Sequence, residues 1–215
     1  MSNSSIPATS AEATEMINGF LGNLKDLVSS PARGAKEIVE HGNLIISVVL
    51  MAAQAALAGI LSLIFTAFHF EMGFGDCIKY FILSIFFSLL LTGITFGCAM
   101  VTGMCMKGTN DAKKLLNALS LRCIAILPFT IIAVPVSFLF SEFALLLVFI
   151  CEILGLFYEY FGFRAAFELD ESKTAYLSVI VSIVYIIAFA IIFRLVASDL
   201  LQTIIYSAFS GSFYN

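Results

Sequence analysis

The stretch that decides the fold is Cys123–Phe163, which reads CIAILPFTIIAVPVSFLFSEFALLLVFICEILGLFYEYFGF. Only Ser141 and Glu142 clearly break about forty apolar residues, and one helix of that length would far exceed the roughly 30 Å hydrocarbon core of a bilayer. A glutamate such as Glu142 favours the headgroup region over hydrocarbon. The stretch therefore predicts two membrane-spanning helices joined by a tight hairpin.

The whole chain has the composition of a multi-span membrane protein. Of its 215 residues, 60% are apolar and 12% are charged, with a mean hydropathy of +1.02. Soluble domains are about 45–50% apolar and about 25% charged. The net charge of −4 comes with no basic stripe that could neutralise phosphates. This composition excludes a soluble enzyme and a nucleic-acid-binding protein.

Five apolar runs are long enough to cross a bilayer, and each must be helical because backbone groups in hydrocarbon pair within their own segment. The alternating segments of a transmembrane barrel are missing. We therefore predict an all-α five-helix transmembrane bundle over residues 44–197. The predicted spans are 44–68, 80–106, 121–140, 143–163 and 175–197.

Residues 1–43 form a predicted amphipathic helical leader. Thr9 and Glu12 fit a capping box for a first helix. Ser30, followed by a proline, can cap a second helix that ends at His41. These helices either lie on the membrane surface beside the bundle or form an arm for a cytoplasmic protein partner.

Two further helix starts are predicted outside the apolar runs. Asn110 can cap a helix that continues into the third span, and Ser198-Asp199 can cap a short helix in an interfacial tail, residues 198–215. Nine of the 11 Lys and Arg residues lie in the leader and in the connections that follow the second and fourth spans. Because basic residues accumulate on the cytoplasmic side, we expect a cytoplasmic N-terminus and an outer C-terminus.

Polar side chains within or beside the spans are the candidates for function. Glu152 lies near mid-bilayer and Glu159 follows on nearly the same face, with no basic partner expected at that depth. Gln54 is central in its span and is the proposed partner of a neutral Glu152. Arg122 and Arg194 lie near span ends, where arginine reaches the interface. These residues form either a polar path for a proton or ion, or a few interhelical hydrogen bonds.

Small residues and prolines mark predicted contacts and bends between helices. Small residues spaced four apart let helices approach closely, either within the bundle or between copies of the chain. They are Ala52, Ala55, Ala56 and Gly59 in the first span, and Gly93 and Gly97 in the second. Pro128 and Pro135 should bend the third span towards one side, for gating or simply for bundle shape.

No motif for catalysis or for binding a cofactor or metal is recognisable. The five cysteines lie mostly within apolar runs and form no CxxC pair, and HExxH, GxSxG and Walker patterns are missing. We therefore expect no enzymatic activity, no catalytic residue, no cofactor and no metal site. The expected partners are the lipid bilayer, a cytoplasmic protein bound through residues 1–43, and a second copy of the chain.

Three stretches, together with the order of the spans, resemble the YIP family of Ypt/Rab-interacting membrane proteins. Leu27–Arg33 resembles the entry to the first span, Asn117–Pro128 the entry to the third, and Gly155–Ala175 the exit from the fourth. The resemblance implies a non-enzymatic protein of membrane organisation or trafficking. The acidic tyrosine-glycine motif of eukaryotic members is missing, which argues against Rab-type GTPase binding and indicates a bacterial-type member, expected in the cytoplasmic membrane.

Two functional hypotheses follow from these observations. The first is a membrane scaffold or adaptor whose leader contacts cytoplasmic partners. The alternative is a small transporter or channel subunit that uses Glu152, Glu159 and Gln54 as a polar path.

Overall fold

A computed structural model describes residues 18–19, 22, 25–69 and 72–211. Over these residues the chain is helical and contains no strand, and five helices are long and apolar enough to cross a membrane. The predicted all-α, five-helix class is therefore confirmed. The helices are α1 (Pro31–His41), α2 (Leu44–Ile64), α3 (Phe74–Cys105), α4 (Ala112–Ser137), α5 (Ser141–Phe167) and α6 (Glu171–Gly211).

The spanning helices α2 to α6 are joined by short connections, which place consecutive helices antiparallel to one another. The first of them, α2, ends in a π-helical turn, Phe65–His69. One end of the bundle carries α1 and the connections that follow α3 and α5, and is called the α1 end. The opposite end, with the connections that follow α2 and α4, is called the far end.

Helix α1 coincides with the second predicted leader helix, since Pro31 is its first residue and Gly42 follows its last. The capping box predicted at Thr9 and Glu12 lies outside the described residues. The apolar face of α1 buries Ile38 and Val39 against the bundle, where α1 contacts α5 and α4. This part of the leader is docked on the bundle and does not extend away from it.

The hydrophobic core is concentrated at the α1 end. Leucine and phenylalanine side chains from α4 and α5 pack there against α1, α3 and the first turns of α6. The large side chains of this cluster are Leu27, Ile38, Val39, Met51, Leu115, Leu119, Leu121, Phe163, Phe167, Leu169, Leu177 and Val181. Burial of so many large side chains closes the α1 end of the bundle to solvent.

Helices α4 and α5 form the predicted hairpin and share the most extensive interhelical contact in the described chain. Glycines allow this approach, because a Cβ atom on Gly162 would lie 3.0 Å from Ala118. The break falls at residues 138–140, a few residues before the predicted one. Ser141 and Glu142 instead form the first turn of α5, where an acidic side chain is favourable beside the unpaired backbone N–H groups.

Three predicted helix caps are corrected by the structure. The first is Ser30, whose side chain makes no capping hydrogen bond at the start of α1. The side chain of Asp111, and not that of Asn110, accepts hydrogen bonds from the first backbone N–H groups of α4, at 2.8 and 3.3 Å. Ser198 and Asp199 do not cap a separate tail helix, because α6 continues through them without a break. Asp199 instead accepts hydrogen bonds from Lys79 and Tyr80 on α3, which draws this part of α6 against the bundle.

Candidate functional site

A buried arginine and two glutamates lie at the centre of the bundle. Arg122 on α4 donates through Nη2 to Glu152 and through Nη1 to Oε2 of Glu159, the latter at 3.5 Å. Its guanidinium group lies 3.9 Å from the ring centroid of Tyr185 on α6. Arg122 is 7% exposed and Glu159 is 2% exposed. We call these four residues the Arg122 cluster.

The sequence of α5 explains how one arginine contacts both carboxylates. Glu152, Gly155 and Glu159 share a helix face, and the two glutamates lie two turns, or about 10 Å, apart along α5. Gly155 leaves room between them for the aliphatic part of the arginine, because a Cβ atom there would lie 2.8 Å from Cγ of Arg122. Gly155 thus positions the cluster. The spacing of Glu152, Gly155 and Glu159 in the sequence already indicates a helix face that could hold a long basic side chain, although no such pairing was predicted from it.

Two expectations about the cluster were wrong. Glu152 and Glu159 do have a basic partner at mid-depth, and Arg122 does not extend to the membrane surface. The reason is the length of α4, which begins at Ala112 and places Arg122 about 15 Å inside the helix. The carboxylate of Glu152 accordingly pairs with Arg122, whereas Gln54 was its expected partner.

The cluster lines a cavity of about 280 Å³, to which all five spanning helices contribute side chains. Gln54 on α2 shares this cavity with Arg122, Glu152 and Glu159. Arg194, the remaining predicted polar candidate, is exposed on α6 and does not line the cavity. Four of the five predicted polar residues therefore line one cavity, and Arg194 is the exception.

The walls of the cavity differ in chemistry. Helix α3 contributes hydroxyl groups, whereas α6 contributes a row of aromatic rings. Tyr185, Phe189 and Phe193 stack in sequence, with centroid distances of 6.4 and 6.1 Å. The cavity extends from the cluster towards the far end, where Ser84 and Val196 line it, while the hydrophobic core closes the α1 end. In this conformation the cavity is a pocket with one closed end.

A second polar group fixes α1 to the bundle. Asn117 on α4 is fully buried, and its Nδ2 donates to the carbonyl groups of Val39 at 3.3 Å and Gly42 at 3.1 Å. Its Oδ1 accepts a hydrogen bond from Ser47 on α2 at 2.8 Å. One side chain thus joins the end of α1 to two spanning helices. Asn117 opens a family-like stretch of the sequence, but no role is predicted for it from the sequence alone.

The small residues of α2 and α3 divide between two environments. Ala55 and Gly59 are buried, and a Cβ atom on Gly59 would lie 2.8 Å from Ile85 of α3. Gly93 and Gly97 are exposed, with nothing within 4 Å of an added Cβ atom. Gly93 and Gly97 therefore do not take part in the contact between α2 and α3. The other predicted packing and kink residues are exposed, namely Ala52 and Ala56 on α2 and Pro128 and Pro135 within α4.

The three family-like stretches converge at the α1 end. Asn117 and Ala118 open the second stretch and contact α1 and Gly162, respectively. The third stretch continues to the end of α5, where Thr109 donates to the carbonyl groups of Ala166 and Phe167. The stretches therefore form one structural unit around the core.

Fold and site together define a polytopic α-helical membrane protein with a docked N-terminal helix and a polar centre. Residues 25–192 match the family profile of the Yip1 domain. The chain belongs to this family, and the predicted membership is confirmed. No curated protein and no solved structure matches the chain.

Proposed function

We propose that this Yip1-family protein is a non-enzymatic scaffold or adaptor that presents α1 to cytoplasmic proteins in membrane organisation or trafficking. The observation that carries the proposal is the way α1 is held. Its apolar face is buried and its end is fixed by Asn117, while the side chains of Arg33 and Lys36 are 71% and 65% exposed. A charged helix that is already ordered loses little conformational entropy when a partner binds.

A groove beside α1 adds shape to this charged surface. It has a volume of about 750 Å³ and lies between α1 and the last turns of α5. Arg33, Lys36 and Arg164 line it together with Glu40 and Glu168. Charges of both signs around a concave surface favour a particular partner over proteins with a different charge pattern.

A charge-reversal experiment tests the adaptor role. The full chain with Arg33→Glu and Lys36→Glu is compared in affinity purification with a matched control, Lys113→Glu and Lys173→Glu. The control makes the same charge change at exposed sites on the same end of the bundle, but outside α1. The proposal expects the α1 variant to lose partners that the control retains. Identical sets of bound proteins would contradict it.

The proposed location is the bacterial cytoplasmic membrane, with the α1 end in the cytoplasm. Support comes from the basic residues, which favour the cytoplasmic side and are concentrated at the α1 end. Added cysteines test this orientation, because the natural Cys77 near the far end is buried. Cys105, which is exposed at the α1 end, is replaced by serine in both variants. In spheroplasts, an impermeant maleimide should then label Gly75→Cys at the exposed far end and leave Lys113→Cys unlabelled until lysis. The reverse pattern would invert the orientation.

A small transporter or channel subunit is the second candidate, and the cavity is the observation that favours it. Gln54, Glu152 and Glu159 lie around one internal space, although the packed α1 end would have to open for passage. Proton flux into proteoliposomes tests this function. Transport requires that Glu159→Gln abolish the flux while Glu142→Gln, an exposed change on the same helix, leaves it unchanged. Absence of flux in the unmodified protein would remove this candidate.

A further inference from the structure

We propose that the central cavity binds a protonated organic amine, with Glu159 as its counter-ion. Binding of such a ligand goes beyond the adaptor role and does not depend on it. Three independent features of the cavity support it: its charge, an unpaired oxygen atom and an aromatic wall.

The charge of the cavity favours a cation. Arg122 carries one positive charge and faces two carboxylates, so the cluster has a net charge of −1 when both glutamates are ionised. Cys123 and Tyr185 are the other titratable residues that line the cavity, and both are neutral in their ordinary forms. An uncompensated charge in a buried site is unfavourable. A ligand with one positive charge would neutralise the cluster.

The hydrogen bonding of Glu159 indicates a ligand with an N–H group. Within the described part of the chain, its Oε1 atom is buried and has no hydrogen-bond partner. Its Oε2 atom has only the 3.5 Å contact with Arg122, whereas Arg122 is held closely by Glu152. Buried carboxylate oxygens normally accept a hydrogen bond. An ammonium group in the cavity would supply the missing charge, and it could donate to the carboxylate of Glu159, which lines the cavity.

The aromatic wall favours an organic cation over a metal ion. Phe87, Phe189 and Phe193 line the same cavity as the cluster, and the faces of aromatic rings attract ammonium groups. Hydrocarbon attached to the nitrogen would pack against the same rings. A metal ion would need several oxygen, nitrogen or sulfur ligands. Among the described residues no group of three or more His, Cys, Asp or Glu side chains could hold one.

Butylammonium is the probe that tests the proposal, with butanol as its uncharged counterpart. Calorimetric titration is performed on the full chain in nanodiscs, in an amine-free phosphate buffer. The proposal expects saturable binding of butylammonium and none of butanol at equal concentrations. Glu159→Gln should weaken the binding by about tenfold or more, the loss of a charge-assisted hydrogen bond, whereas Glu142→Gln should not change it.

Each alternative outcome would overturn the proposal. Equal binding of butanol would mean that the cavity selects only apolar groups. No binding of butylammonium to the folded unmodified protein would mean that Glu159 carries its own proton and needs no ligand. Melting temperatures show whether Glu159→Gln is folded. If that variant does not fold, Phe189→Leu replaces it, and unchanged affinity in this variant would contradict the aromatic contact.

Discussion

Replacing Arg122 by methionine separates the charge of the buried cluster from its packing. Methionine retains an unbranched apolar chain in the space that Gly155 leaves open and removes only the guanidinium group. Glu152 and Glu159 then lose their shared cation in a site where Glu159 is almost fully buried. Removing one partner of a buried ion pair costs about 3–5 kcal/mol, and we expect a loss of unfolding free energy in that range.

A triple variant tests whether the cost arises from the unpaired carboxylates. Arg122→Met combined with Glu152→Gln and Glu159→Gln removes all three charges with little change in volume. Because a neutral replacement for a buried ion triad is often as stable as the original, the triple variant should recover most of the loss. If each substitution acted independently, the triple variant would instead be less stable than Arg122→Met alone.

Unfolding free energies from SDS titration in mixed micelles measure these differences. Arg194→Met is the matched control, since it makes the same chemical change at an exposed position on α6. We expect this control to remain within about 0.5 kcal/mol of the unmodified protein. A cost from the unpaired carboxylates would be contradicted if Arg122→Met lost no more unfolding free energy than Arg194→Met. It would also be contradicted if the triple variant were less stable than Arg122→Met alone.

Three further predictions concern contacts outside the cluster. Asn117→Ala removes three hydrogen bonds, two of them buried, and should cost about 2–4 kcal/mol. Trypsin should then cleave within α1 faster, and an unchanged cleavage rate would show that α1 docks without Asn117. Hydrogen bonds from Lys79 and Tyr80 hold the pKa of Asp199 below its usual range, so their contribution is present at neutral pH and is lost as the pH falls below about 4. The difference in melting temperature between Asp199→Asn and the unmodified protein should therefore narrow on acidification, and a constant difference would contradict this. Gly162→Val should push α4 and α5 apart and lower the melting temperature, whereas Gly75→Val, in open space, should not.

The sequence was sufficient for features that depend on local patterns. The five spans follow from the length of each apolar run, and the hairpin follows from two polar residues between two such runs. The start of α1 follows from Pro31, because proline fits the first turn of a helix. Each of these signals lies within a few residues of the structure that it predicts.

The position of Arg122 was missed because the apolar run and the helix do not begin at the same residue. Residues 112–119 are amphipathic, and they bury Leu115 and Leu119 in the core at the α1 end. They therefore belong to α4, although their polar side places them outside any hydropathy-based span. A depth measured from the start of the apolar run put Arg122 at the membrane surface. The same arginine is central when depth is measured from Ala112.

The pairing of Arg122 follows from the hairpin when depth is measured from the turn. In two antiparallel helices, residues at equal distances from the turn lie at equal depth. Equal numbers of residues on either side of Leu139, the middle of the turn, place Arg122 opposite Leu156, midway between Glu152 and Glu159. Both carboxylates are then within reach of a side chain as long as arginine. The contact between Arg122 and Tyr185 could not be predicted in this way. It depends on which helix packs against the hairpin, and that packing is determined by side chains far apart in the sequence.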